Sequence, residues 1–180
     1  ALPILYWNDQ VDKTAVGYLG QMKVKHGNEE QEVYLNVPED LQDFEEMAVF
    51  RDRRSHTQYD LETEGVILTE KTAKLLEVKE GDTITLCQTG KEDVKVKVGK
   101  ICENYIGHYL FMSAEQYREL FGKDPSYNQI LLKYEDTSDD FQDKIGNYLL
   151  NRSEVQAVTF VSATVDWADD TLSSLNTIVL

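Results

Sequence analysis

EGVILTEKTAKLLEVKEGDTITLCQTGKEDVKVKVGKICENYIGHY, residues 64–109, decides how this chain is read. Residues 65–68 are apolar and β-prone. Thr69 is placed to cap a short helix over 70–76 that turns Ala73, Leu75 and Leu76 inward. Gly81-Asp82 marks a turn. Ile84 and Leu86 then alternate on one strand, and Val94, Val96 and Val98 on the next, with a loop around Gly90 between them. Ile101 falls out of step with the three valines. A β-bulge at Gly99 or Lys100 restores the facing and bends the strand. Short bent strands with one apolar face predict a small, partly closed β-barrel.

Working outward, 15–24 and 32–37 read as a hairpin around Gly27-Asn28. Pro38 is expected at the first position of a helix that places Leu41, Phe44 and Ala48 on one face. RDRRSHTQY, residues 51–59, is a basic connector. Its arginines have the chemistry to hold phosphate or carboxylate, but the acidic helix before it favours local ion pairs. Beyond the opening stretch, 105–112 is β-prone. Ser113 and Gln116 form a capping box, and Gly122 ends that helix. A strand over 127–134, apolar on both faces, is expected to be central. Phe141, Ile145, Tyr148 and Leu149 form the stripe of a helix capped by Thr137 or Ser138. A strand follows at 155–161. Strands with helices on one face make an α+β layer.

The last segment, 166–180, has Trp167, Leu172, Leu175 and Val179 at helical spacing and ends in TIVL. It reads either as a docked helix or as a helix leading into a membrane. Trp7-Asn8-Asp9 reads as a turn in an irregular start. No signal-peptide pattern opens the sequence, and no run of about 18 apolar residues spans a bilayer by itself.

The 180 residues carry 33 acidic against 18 basic side chains, a net charge of −15. That balance argues against nucleic acid or an anionic membrane surface as the main partner. Cys87 and Cys102 are the two cysteines. They read as free thiols, with Cys87 expected opposite Lys95. His26, His56 and His108 are scattered, with no metal-ligand spacing. Asp136, Asp139, Asp140 and Asp143 lack the pattern of a calcium loop and suit a helix N-terminus. Cys102 and His108 in one strand lie about 20 Å apart at ~3.3 Å per residue, too far for proton transfer. No catalytic, cofactor or metal site is assigned. Ten tyrosines are many for this length. Tyr117, Tyr127 and Tyr134 are marked as a candidate interaction surface, against the plainer reading of amphipathic core edge.

EGVILTEKTAKLLEVKEGDTITL, VGKICENYIGHYLFMSAEQYRELFG, YNQILLKYED and the SSLNTIVL ending, in this order, resemble the large extracellular domain of FtsX/MacB-like ABC-transporter permeases from Gram-positive bacteria. The resemblance covers roughly residues 32–180. It rests most on Gly81-Asp82, on Glu103-Asn104-Tyr105 with His108-Tyr109, and on Ser174-Leu175-Asn176. It implies a porter-like mixed sheet-and-helix subdomain, residues 1–60 and 105–165, interrupted by a small β-barrel-like subdomain at 61–104. It also implies that 166–180 is a stalk leading to a membrane helix, and that the domain stands on the extracellular side of the cell membrane. The implied function is non-catalytic. The domain binds or gates a substrate or partner, and the membrane helices couple it to a cytoplasmic ABC ATPase in peptide, lipoprotein or antibiotic export. An alternative in the family is a docking domain that activates an extracellular cell-wall hydrolase. A secreted glycan-acting enzyme is the alternative from another class, and it requires two converging carboxylates. The residues Gly81, Asp82, Glu103, Asn104, Tyr105, His108 and Tyr109 are expected to be structural and to fix the junction of the subdomains.

Overall fold

A computed structural model describes residues 11–61, 64–88, 90, 92–104 and 107–160. The expected turn at Trp7-Asn8-Asp9, the stalk at 166–180 and Tyr105 lie outside them. The chain divides into two compact units, Lys13–Lys133 and Ala1–Asp12 with Tyr134–Leu180.

In the first unit β1 (Lys13–His26) and β2 (Glu29–Pro38) form the expected hairpin, from Gly17↔Pro38 to His26↔Glu29. The segment 64–109 supplies β5 (Val66–Thr69), α2 (Glu70–Leu75), β6 (Thr83–Cys87), β7 (Val94–Cys102) and the start of β8 (Tyr109–Phe111). Strand order is β2-β8-β5-β7-β6-β1, and β1 also pairs with β2, so six strands close on themselves. Closure leaves the polar backbone groups of those strands satisfied by their neighbours. Two pairs are parallel, β2–β8 and β5–β7, and the rest are antiparallel, so the sheet is mixed. Strands from 61–104 pair with β1 on one side and β8 on the other.

The bulge falls where the valines and Ile101 disagree. Val66 pairs with Val98 and Ile67 with Lys100, so Gly99 is skipped. A Cβ on Gly99 would collide with the carbonyl oxygen of Glu64, which is why the extra residue is glycine. The result is that Val96, Val98 and Ile101 all face the barrel interior, whereas Cys102 faces outward.

The interior is aliphatic: Val24, Leu35, Val37, Leu68, Ile84, Leu86 and Leu110 are almost fully buried. Helices close its ends. β5 and β8 are antiparallel, so α2, which follows β5, and α3 (Ala114–Phe121), which follows β8, lie at opposite ends. Leu76 enters the interior from the α2 end and Tyr117 from the α3 end. The α3 capping box forms as expected, and Gly122 ends the helix at φ 65°.

The outer wall has its own apolar cover. Residues 40–61 leave the barrel, run through α1 (Leu41–Glu45) and the ribbon β3 (Phe50–Arg51)–β4 (Gln58–Tyr59), and return. Phe44, Phe50 and Leu61 press on Ala15, Ile67, Cys102 and Phe111 from outside.

Several expectations are corrected. Pro38 ends β2 instead of opening a helix, and Asp40 caps α1, which stops at Glu45. Proline fits there because the sheet bond that follows comes from the Glu39 N–H, donated to Val16 at 2.9 Å. Leu75 is 45% exposed, and Thr72 takes the buried face of α2 instead. Among its described residues the β-prone run before Met112 forms a strand at Tyr109–Phe111, after Gly107 turns at φ 77°. Cys87 pairs with Lys23 of β1, and Thr85 is the residue opposite Lys95. β9 (Gln129–Lys133) is not central: it pairs only with the N-terminal part of β1. Between β9 and β6 along the same edge of β1, the Asn128 side chain takes the place of a strand. Its Oδ1 accepts from Leu19 N at 2.8 Å, and its Nδ2 donates to Leu19 O at 2.9 Å.

In the second unit α4 (Asp139–Leu150) is capped by Ser138. Phe141, Ile145 and Leu149 are buried, as their spacing predicts. Asp136 accepts from Ser138 N at 3.0 Å, and the acids here serve the helix start. Residues 155–160 form no strand. Phe160 instead brings its ring to Gly146, where a Cβ would stand 3.3 Å away.

Candidate functional site

The motif residues that the structure describes gather around α2 and the strands beside it. After α2 the chain turns over 79–82. The Asp82 carboxylate accepts from Lys79 N at 2.8 Å, and Asp82 N donates to Lys79 O at 3.1 Å. Gly81 sits at φ 93°, with open space where a Cβ would be, so glycine is needed here for conformation alone. Gly81 N donates to Val98 O and Val98 N to Asp82 O, both at 2.8 Å. The Gly81-Asp82 turn is thereby fastened to β7 one residue before the bulge. Glu80 adds a bond to Lys100 at 3.0 Å.

Glu103 leaves β7 towards the outer cover. Its backbone N–H donates to Arg51 O at 2.9 Å, and its carboxylate pairs with Arg51 Nε. The carboxylate is only 10% exposed, so this contact lies in a partly dry place. A neighbouring bond, Tyr59 OH to Ile101 O at 3.2 Å, holds the ribbon to the same strand. Burial pushes the Tyr59 phenol up to about 12, which keeps it a donor. Arg53 pairs with Glu70 at 2.6 Å. Arg51 and Arg53 of the connector thus pair with acids, but those acids lie just after β7 and on α2 and not on the helix before them. Asn104 follows, half-buried.

Gly107 admits the ring of Tyr109, which would stand 2.8 Å from a Cβ there. His108 O accepts from Tyr34 N at 2.8 Å, its Nδ1 lies 3.2 Å from Thr72 Oγ1, and Thr72 Oγ1 lies 2.8 Å from Thr69 Oγ1. Tyr109 N donates to Thr69 Oγ1 at 3.2 Å. Burial, with a smaller effect of Lys71, holds His108 below the usual imidazole range. Tyr109 stacks between Tyr34, 5.6 Å away, and Phe111, 5.8 Å away.

Burial pushes the Cys102 thiol up to about 12, so it stays protonated in the outer apolar cluster. Cys87 is half-buried and also raised, by burial first and by Asp93 second. Both thiols are free. Among the described residues no group of three or more His, Cys, Asp or Glu is placed to hold a metal ion. An open groove of about 690 Å³ lies beside α3, with Leu41 and Leu61 in its lining and Glu64, Glu115 and Glu119 around it.

The tyrosine expectation divides. Tyr117 is 3% exposed and belongs to the barrel interior, its ring 4.7 Å from Phe121 and 5.7 Å from Tyr18. It is a core residue and not part of a surface. Its position one turn into α3, facing the barrel end, is what buries it. Tyr127 is half-buried in the first unit. Tyr134, in the second, is half-buried with its ring 5.1 Å from Phe141. Sequence reasoning missed Thr72 and Asn128 and misassigned Thr69, which stands at the N-cap of α2 but makes no side-chain cap bond and instead meets Thr72 and Tyr109 N. The threonines carried no signal beyond a helix start. Asn128, just before a β-prone run, carried only a turn signal.

No family model matches the chain, and no curated protein matches it. Solved structures do. The chain is similar to the extracellular domain of the noncanonic ABC-type transporter YknZ from Gram-positive bacteria, with a TM-score of 0.49 and 16% identity, covering 77% of this chain and 72% of that one. It is also similar to the periplasmic region of MacB from Actinobacillus actinomycetemcomitans, with a TM-score of 0.49 and 11% identity, covering 78% of this chain and 65% of that one.

Proposed function

We propose that this chain is a non-catalytic extracellular domain of an ABC-transporter permease. It binds or gates a substrate or partner and moves with membrane helices driven by a cytoplasmic ATPase. The observation that carries the reading is how the motif residues are used. Gly81, Asp82, Glu103, His108 and Tyr109 are spent on backbone and side-chain bonds that tie α2, β7, β8 and the 40–61 cover into one frame. A frame of that kind transmits force and presents surface, and these five residues serve it. Glu103, Asn104 and His108 accordingly act on rigidity. Within the described residues no helix is long and apolar enough to cross a membrane.

The test is a pull-down of the full-length protein from its own membranes, read by mass spectrometry. Recovery of an ABC ATPase with small peptides or lipids supports export. Recovery of the ATPase with a secreted cell-wall hydrolase replaces export with hydrolase regulation. Failure to recover any ATPase removes the transporter reading.

A further inference from the structure

A chain of four groups crosses from the helix that plugs one barrel end to the strand beside it: His108 Nδ1, Thr72 Oγ1, Thr69 Oγ1 and Tyr109 N, at 3.2, 2.8 and 3.2 Å. Both threonines are fully buried, at 0% and 1% exposure, so their hydroxyls must find partners inside the protein. Thr69 Oγ1 already accepts from Tyr109 N, so its own proton has two directions. It donates to Thr72 Oγ1 at 2.8 Å, or to Tyr109 O at 3.4 Å. The shorter choice makes Thr72 an acceptor and sends the Thr72 proton to His108 Nδ1. That arrangement requires a neutral ring with an unprotonated Nδ1.

We propose that this relay is a pH-responsive latch, in which neutral His108 fastens the start of β8 to α2 and its protonation loosens that end of the barrel. The step is a proton taken from water by Nδ1. The ring then donates to Thr72 Oγ1, the Thr72 hydroxyl turns to Thr69, and the Thr69 proton is left with the long bond to Tyr109 O. The charged ring also sits in a partly dry site with a cation next to it. Lys71 on α2 is the charged group that acts on the ring, and backbone bonds join His108 to Tyr34 of β2 and Tyr109 to Thr69 of β5. The phenol of Tyr109 is held above its usual range by burial and is neutral throughout. Glu70 is engaged by Arg53, so it does not offset the charge. Because the folded ring holds its proton less tightly than the unfolded one, the unfolded state binds more protons. Stability is therefore fully present above the ordinary value of 6.5 and is lost as the pH falls below it. His26 also touches this helix, through Leu76 O at 3.0 Å. The inference is independent of the transport reading.

The test is amide hydrogen exchange of the 180-residue chain at pH 7.5 and 5.0, corrected for intrinsic rates, read at Tyr34 and Tyr109 with Val24 as the core control. Expected is a severalfold loss of protection at Tyr34 and Tyr109 at pH 5.0, in the direction set by a folded ring that holds its proton less tightly than the unfolded one. Val24 is unchanged. His108→Gln, which keeps polar atoms but does not titrate, makes the two amides insensitive to pH. Thr72→Val exchanges at both pH values at the rate of the wild type at pH 5.0. Equal protection of the wild type at the two pH values overturns the latch, and so does a His108→Gln protein with the wild-type dependence. If either variant fails to fold, the His108 ring proton followed by NMR in the wild type decides: a midpoint at or above 6.5 overturns the proposal.

Discussion

The two sides of the barrel wall are packed by different means. Inside, aliphatic side chains arrive by strand alternation and are sealed by α2 and α3. Outside, the cover is aromatic and comes from an irregular excursion, residues 40–61. Phe44, Phe50 and Phe111 have ring centroids 4.8 to 6.4 Å apart. The inner cluster follows from closing the sheet. The outer one needs extra fastening, which Arg51–Glu103 and Tyr59–Ile101 supply. The contrast separates stability of the closed sheet from attachment of its cover, and substitutions on each side should tell them apart.

Leu110→Ala tests the inner side. Leu110 is 0% exposed, and the cavity it leaves should cost about 3–5 kcal/mol in urea unfolding. Cys102 should stay unreactive in the native protein. Phe50→Ala tests the outer side, with an expected loss of about 3 kcal/mol. Here the cover opens, and labelling of Cys102 by a thiol reagent, followed by mass spectrometry, should accelerate. If Cys102 labels equally fast in both variants, the two clusters unfold together and the contrast fails.

A finer cut is Glu103→Gln. It keeps the backbone bond to Arg51 O but removes the charge pair, and should cost about 1–2 kcal/mol, because the carboxylate is partly buried. Raising salt should shrink the difference between the two proteins. A salt-independent difference would mean that packing, not charge, fastens the ribbon. The smallest effect belongs to Asn128→Ala, expected at about 1 kcal/mol for two exposed bonds to Leu19. Exchange of the Leu19 amide should rise while Met22 stays protected. Unchanged exchange at Leu19 would remove Asn128 from its place as a strand substitute.

The inner side was largely legible in the sequence. Val94, Val96, Val98 and Ile101 announced both the alternation and the fault at Gly99, since period two and a misplaced isoleucine are local facts. The capping box at Ser113 and the left-handed Gly122 were local too. The reading of the motif residues as structural stays a proposal, which the bonds of Gly81, Asp82, Glu103, His108 and Tyr109 support. The partners of Thr69 and Thr72 stayed invisible, because a threonine at a helix start looks the same whether or not an imidazole comes to meet it from 36 residues away.

What the sequence determined by itself was most elements of the barrel and the facing of β6 and β7, because alternation, caps and turn glycines depend on neighbours in the chain. Tertiary structure decided the rest. It placed β9 beside the start of β1, although a strand apolar on both faces pointed to the centre. It put Tyr117 inside the barrel and Leu75 in solvent, because which face of a short helix is buried depends on what it plugs. It chose Glu103 and Glu70 as partners for Arg51 and Arg53, over the acids nearby in sequence. Partner choice across the closed sheet is set by register and closure, and no local window of residues contains either.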